Sequence, residues 1–550
     1  MTEFDNQPDR ADEAPDATDR AGVADDADLM EVDAIGTPAV PPRPARPWWQ
    51  GAWAGLAAGG LAVAVGMLIA AITDVVSPID AVGSDVIDRT PRAVKEWAIR
   101  NFETNDKLVL RIGIFTVLAL AAMVIGALAT KRVWIGVAGI GAFGVVGALA
   151  AAGRPGEGAG SAVPSLVGAV VGASVLYVML RRPAVEVPGP SAAPLGWDRR
   201  RFLVTSGTTA VVAAAAGAVA HRITSNRERE FTSQAAQPIP EFGDTGVTVD
   251  IPAGADADPN TPFITPNDDF YRIDTALSFP RADVENWSFT IEGMVDKPLT
   301  VTYADLLNRP QVERVITICC VSNEVGGRYI GNAVWRGVML RDLLEEAGVQ
   351  DGAEQVYSTS LDGWTCGFPV GAALDGRDAM VAVGMNGEPL PLAHGYPARL
   401  IVPGLYGYVS ATKWLSKIEL TNWEREGYWV PRGWSREGPI KTQSRIGYPR
   451  HRVPIDPGPG KIAGVAWAQH RGIEKVEVQI DDGEWQVATL ATDVTDDAWR
   501  QWVLDWDATS GDHQVRVRAT DKTGATQTEE RTPVAPDGAT GWHTITVRVR

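Results

Sequence analysis

Five stretches of the chain carry no charge over lengths suited to a lipid bilayer: Trp53 to Ile72, Ile112 to Ala129, Val133 to Ala152, Ala162 to Leu180 and Phe202 to Ala220. A helix rising about 1.5 Å per residue needs roughly 20 apolar residues to cross the hydrocarbon core. In lipid, a continuous helix satisfies every backbone polar group internally. The pattern therefore predicts an α-helical transmembrane bundle of five spans over residues 48–221.

The period then shortens. Residues 222–262 turn polar and proline-bearing and read as a linker. From residue 263, "NWSFTIEGMV" and "VERVITICC" alternate as strands do, and Asn386-Gly387 sits at the centre of a hairpin. Short helices are expected at "TYADLLN" and at "MLRDLLEEAG", the latter with a glycine stop. Residues 263–439 read as an α+β domain. Over 440–550, strict alternation in "HQVRVRATD" and "WHTITVRVR" and regular turn spacing predict an Ig-like β-sandwich.

Charge refines this picture. The chain has a net charge of −18, and residues 1–47, with twelve acidic and four basic side chains and few large apolar ones, read as a disordered acidic tail. No Lys/Arg-rich face emerges elsewhere, which argues against nucleic acid. The basic flanks "TKR" (130–132), "LRR" (180–182) and "DRRR" (198–201) alternate onto one side of the membrane, expected to be cytoplasmic. The connection at 75–108 carries five basic and six acidic residues and leaves that bias standing. Everything after Ala220 is then periplasmic or extracellular, as part of a multi-pass cell-membrane protein. "DRRRFLVTSG" can be read as a positive-inside flank or as a twin-arginine export signal, a route for proteins folded around a cofactor.

Three cysteines, two of them adjacent, form neither a disulfide framework nor a zinc motif. On a strand, Cys319 and Cys320 must face opposite ways. The first is expected to pack in the core. Cys320 stands where "VSNEVGG" turns the chain, which suits a ligand to a soft metal.

"CVSN" after an apolar strand, "LDGWTCGFPVGAAL", "NGEPLPLAHGYPARLIVPGLYGYVSATKWL" and a sandwich ending in "GWHTITVRV" together resemble the sulfite oxidase family of molybdenum-molybdopterin enzymes, over residues 263–550. The resemblance implies Cys320 as the protein ligand to molybdenum, with Asn323 in the adjoining turn. It implies His394 and Arg399 around the pterin and its phosphate, and Ala411, Thr412 and Lys413 in "ATKW" beside them. Asp362 matches a pterin contact. "FYRID" supplies Phe270, Tyr271, Arg272 and Asp274 at the cofactor and substrate pocket. Arg272 and Tyr428 join Cys320 as catalytic candidates, and Cys366 is kept as a packing residue.

The implied chemistry is oxygen-atom transfer as molybdenum cycles between Mo(VI) and Mo(IV). The family's sandwich implies a homodimer. Where sulfite-oxidising members carry basic residues after the "C..N" turn, this chain has Glu324 and Val325. The substrate is thus either a small oxoanion or an S- or N-oxide, as for sulfoxide reductases. No CxxCH occurs, and none of the six histidines lies in an apolar run, so electrons require a separate transfer partner. A rival of another class is a non-catalytic binding protein that retains the fold without the metal.

Overall fold

The computed structural model describes residues 46–102, 106–154, 157–181, 199–235, 248–258 and 260–550; the acidic tail, apart from Arg46 and Pro47, lies outside the described residues. The amino-terminal half forms α1 (Trp48–Thr73), α2 (Pro78–Arg89), α3 (Arg92–Phe102), α4 (Asp106–Ala129), α5 (Val133–Ala152), α6 (Val163–Leu180) and α7 (Arg199–Ala235). Five of these, α1 and α4 to α7, are long and apolar enough to cross a membrane. Helix α1 packs against α4, α6 and α7.

Small residues permit that packing. A Cβ on Gly55 would lie 2.1 Å from the Ala122 carbonyl of α4, and one on Gly168 of α6 would lie 2.3 Å from the Ala62 carbonyl of α1. In an apolar solvent such close contact is what holds helices together. At the basic end of the bundle, the Arg46 guanidinium donates to the Leu180 carbonyl at 2.8 Å and so caps α6.

One stretch left without elements gains structure, and one expectation changes. The 75–108 connection contains the helices α2 and α3. Ser77 caps α2 by accepting from the Asp80 amide at 3.1 Å, with Pro78 at the first helical position. The 222–262 stretch is not a free linker either. Its Arg/Glu-rich beginning favours helix, so α7 runs on to Ala235. Arg227 pairs with Asp74 at 2.9 Å, and Phe231 is buried in the core of the following domain, edge-on to Tyr396 at 5.9 Å. Further on, the amides of Ala257 and Asp258 both donate to the side-chain oxygen of Gln501 in the sandwich.

The α+β domain has two mostly antiparallel sheets. One runs β2 (Leu299–Thr302), β1 (Ser288–Gly293), β10 (Leu415–Thr421), β5 (Gln355–Ser360), β6 (Thr365–Pro369). The other runs β3 (Val312–Cys319), β4 (Ile330–Met339), β7 (Met380–Met385), β8 (Glu388–Pro389), with β9 (Arg399–Ile401) also on β7. Both expected helices form. Tyr303–Asn308 begins with a capping box from Thr302 and Asp305, and Leu340–Ala347 stops at Gly348, whose φ is 71°. The β7–β8 hairpin turns through Asn386 and Gly387 at φ 53° and 80°.

A core including Trp335, Phe289, Phe368 and Leu343 lies between these elements. Residues 443–549 form two facing sheets around Trp502, Ile462, Val476 and Val547, the Ig-like sandwich. The carboxyl end of α1, the start of α4 and the carboxyl end of α7 all meet the α+β domain. Asp74 binds Arg281 at 3.0 Å, Arg111 donates to the Leu277 carbonyl at 3.1 Å, and Phe231 enters the core.

Phe231→Ala should cost about 3 kcal/mol, the lower end for a buried aromatic, read by chemical denaturation of the detergent-solubilised chain. An unchanged midpoint would mean that the end of α7 does not anchor the domain.

Candidate active site

Strand β3 delivers the two cysteines differently. Cys319, its last residue, is 2% exposed and packs beside Tyr406 and Trp467. Cys320 opens the following turn. Its amide donates to the Tyr329 carbonyl at 2.9 Å, and its side chain lines a cavity of about 480 Å³. Burial pushes both thiols up, Cys319 the further because Cys320 adds to it. A metal at Cys320 would have to displace the thiol proton, as metals do.

The turn before β9 and the strand itself supply a polar cradle. Arg399, 4% exposed, donates to the His394 carbonyl at 3.0 Å and stacks over Trp335 at 5.1 Å. Its Nε has no hydrogen-bond partner, and burial brings the guanidinium down to about 10. The His394 ring places Nε2 3.2 Å from the Asn267 carbonyl. Burial, then Arg399 and Lys413, push its pKa down to about 4, so it is neutral at pH 7 with a proton on Nε2 facing that carbonyl. Ser360, also on the cavity, keeps its hydroxyl without a partner.

Asp274 gathers cations from both halves of the chain. Lys413 approaches it at 2.7 Å and Arg272 at 2.8 Å, and Lys107 of α4 pairs with its other oxygen. Burial alone would raise this carboxyl, but the three cations hold it well below the usual carboxylate range. Lys413 is brought down to about 8, because burial outweighs its pairing with Asp274.

Of the residues expected at the site, Cys320, Phe270, Tyr271, Asp274, Asp362, His394, Arg399, Ala411 and Lys413 line this one cavity. Four others do not. Arg272 lies over the Phe279 ring at 4.3 Å and braces Asp274. Tyr428 gives its hydroxyl to Asp88 of α2 and its ring to Arg432 at 3.7 Å. Asn323 accepts from the Tyr329 amide at 2.8 Å and so shapes the turn. Thr412 is turned toward Ser358 and Cys366, at 2.7 and 3.1 Å. Cys366 is buried, its thiol pushed up to about 11 by burial. Glu324 is exposed and lies off the cavity, so it places no negative charge inside.

Sequence reasoning missed Ser322, Ser360, Trp364, Trp429 and Trp434, and every contribution from α2 to α4, including Val86, Lys95, Lys107 and Leu110. The only signal was the charge-rich 75–108 segment, which bears on orientation alone.

These residues fit a large anionic cofactor carrying a metal. Four cationic side chains, Lys95, Lys107, Arg399 and Lys413, face two acidic ones, Asp274 and Asp362. Arg399 and Ser360 offer donors with nothing to bind. Among the described residues no three His, Cys, Asp or Glu side chains converge, so a metal at Cys320 must take its other ligands from the cofactor and solvent.

Two family models match the chain: the oxidoreductase molybdopterin binding domain over residues 276–429 and the Mo-co oxidoreductase dimerisation domain over 438–550. Mitochondrial sulfite oxidase of Homo sapiens is 29% identical over 46% of this chain and 55% of its own. The uncharacterized oxidoreductase YuiH of Bacillus subtilis is 35% identical over 28% of this chain and 76% of its own. Nitrate reductase [NADPH] of Fusarium oxysporum is 31% identical over 38% and 28%. The chain spans about half the length of the mammalian relatives it matches. It belongs to the sulfite oxidase family of molybdopterin oxidoreductases, whose cofactor is Mo-molybdopterin.

In the cofactor-free protein, His394 takes up its proton near pH 4 when folded, against 6.5 for the ordinary side chain. Its contribution to stability is complete above pH 6.5 and is lost as pH falls toward 4, because the unfolded chain binds the proton first. Denaturation midpoints of His394→Gln should therefore fall less steeply than wild type across that window. Parallel curves would refute a buried neutral His394.

Proposed function

We propose that the protein transfers an oxygen atom to or from a small oxoanion, using a molybdenum bound by Cys320, on the outer side of a membrane crossed by α1 and α4 to α7. The observation that carries the reading is one cavity in which the Cys320 thiol and the under-partnered Arg399 guanidinium face the same space. When bound, the cofactor supplies a two-electron couple and a centre for oxygen transfer.

The chain's own residues position and shield it. Arg399 is the donor for the pterin phosphate, a role that suits a planar guanidinium withdrawn from water, and the neutral His394 ring packs beside it. Ser360 adds a hydroxyl. Asp274 keeps Lys413 oriented through a 2.7 Å pair and a second bond from its Nζ to the Ala393 carbonyl at 3.1 Å. Trp364, Trp429 and Trp434 limit water, which strengthens every charge interaction inside.

The excess of cations on the cavity, with Glu324 outside it, favours an oxoanion over a neutral S- or N-oxide. Membrane placement rests on the five apolar helices and on Lys131, Arg132, Arg181, Arg200 and Arg201 clustering at chain ends opposite those that meet the α+β domain. The sandwich supports a homodimer through its dimerisation-domain match. Reoxidation or reduction needs a separate electron-transfer partner.

The full chain, expressed in a cofactor-competent host, should contain molybdenum and oxidise sulfite with an artificial acceptor faster than it reduces a sulfoxide with a reduced dye. Cys320→Ser should lower turnover at least 100-fold, while Cys319→Ser should cost only about 1 kcal/mol of stability. A chain without molybdenum, or a fully active Cys320→Ser, would sink the reading.

A further inference from the structure

The connection between the first two apolar helices is part of the cavity wall. Helices α2 and α3 and the first turns of α4 line it with Val86, Ile87, Val94, Ala98 and Leu110, and contribute two lysines. Lys107 is engaged with Asp274. Lys95 is placed differently. Its ammonium lies 5.5 Å from the centre of the Tyr428 ring and 5.4 Å from that of Trp429, and 3.4 Å from the Tyr428 hydroxyl.

Among the described residues no carboxylate comes within ion-pair distance of Lys95, and Asp88, which favours its charge, accepts from Tyr428 instead. Burial and the adjacent Arg432 both disfavour its charge, which the ring faces and Asp88 only partly support. A half-buried ammonium that faces no carboxylate favours an anion placed beside it. Of the four cations on the cavity, two are bound to Asp274 and Arg399 serves the cofactor phosphate. Lys95 remains.

We propose that Lys95, carried by the connection between the first two membrane-type helices, binds the oxyanion of the substrate, so that the membrane half of the chain supplies a specificity determinant of the active site. This rests on the cofactor reading above and deepens it. The α2–α3 pair is held over the cavity by the Tyr428–Asp88 bond and by Arg432, whose guanidinium reaches the Asp88 carbonyl at 3.4 Å. The rigid bundle fixes the two chain ends from which the pair is suspended.

The test uses the full chain in detergent, with molybdenum and pterin measured on every sample. Sulfate is the non-reacting probe, titrated by calorimetry. Lys95→Met should weaken sulfate at least 10-fold and raise KM for sulfite by a similar factor with kcat within threefold. Lys95→Arg should restore both, and KM for neutral dimethyl sulfoxide should not move. If Lys95→Met fails to fold, Lys95→Gln serves, the thermal transition confirming its integrity. Equal sulfate affinity in wild type and Lys95→Met, absence of sulfate binding to the wild-type holoprotein, or an equal loss for dimethyl sulfoxide would each overturn the role of Lys95. Absence of molybdenum from the wild type would instead overturn the cofactor reading.

Discussion

Positive charge withdrawn from water must be compensated, and in this protein that requirement organises both the site and its attachment to the helices. Asp274 answers three cations drawn from distant parts of the chain: Arg272 beside it, Lys413 after the β9 strand and Lys107 at the start of α4. A buried carboxylate and its partners stand or fall together, because removing one leaves the others uncompensated. Arg399 has no such carboxylate. It is stabilised by two carbonyls and the face of Trp335, and one donor stays unused. An anionic group seated there completes the balance, so cofactor binding and the stability of this region are linked by mass action.

The helical half also bears on the site. One apolar helix would tether the domain but leave its orientation free. Here α1 contacts α4 and α6 through glycines that admit no side chain and also packs against α7, and the ends facing the α+β domain are fixed by Asp74, Arg111 and Phe231. Such a platform can hold α2 and α3 in one register over the cavity. Tryptophans of the α+β domain and aliphatic side chains of α2 to α4 then close a space that neither half encloses alone.

What could be read from the sequence was local. Strand periodicity separated Cys319 from Cys320, Asn386-Gly387 marked a hairpin, and Gly348 ended a helix, because each depends on neighbours within a few residues. The family resemblance named His394, Arg399, Asp362 and Lys413, which line one cavity with Cys320. A motif names a position but not a direction. Thr412 lies between Ala411 and Lys413, both on the cavity, but its own hydroxyl is turned to Ser358 and Cys366. Arg272 is the one residue of Phe270–Asp274 that misses the cavity, because its guanidinium lies over the Phe279 ring and bonds to Asp274. Lys95 and Lys107 had no local signature at all. Their partners Tyr428 and Asp274 are far along the chain, and only the tertiary fold pairs them.

Glu324 makes the same point about charge. Its position, four residues after Cys320, suggested a negative charge near the site, which left a neutral S- or N-oxide open beside an oxoanion. The turn that places Cys320 on the cavity is closed by Asn323, which accepts from the Tyr329 amide, and it leaves Glu324 in solvent. A charge in water is screened by a high dielectric and by salt, whereas one on a dry cavity wall acts nearly at full strength. The sign felt by a substrate is therefore set by the side chains that share its low-dielectric space. Of those, four are cationic and two, Asp274 and Asp362, acidic, with Asp274 already surrounded by cations.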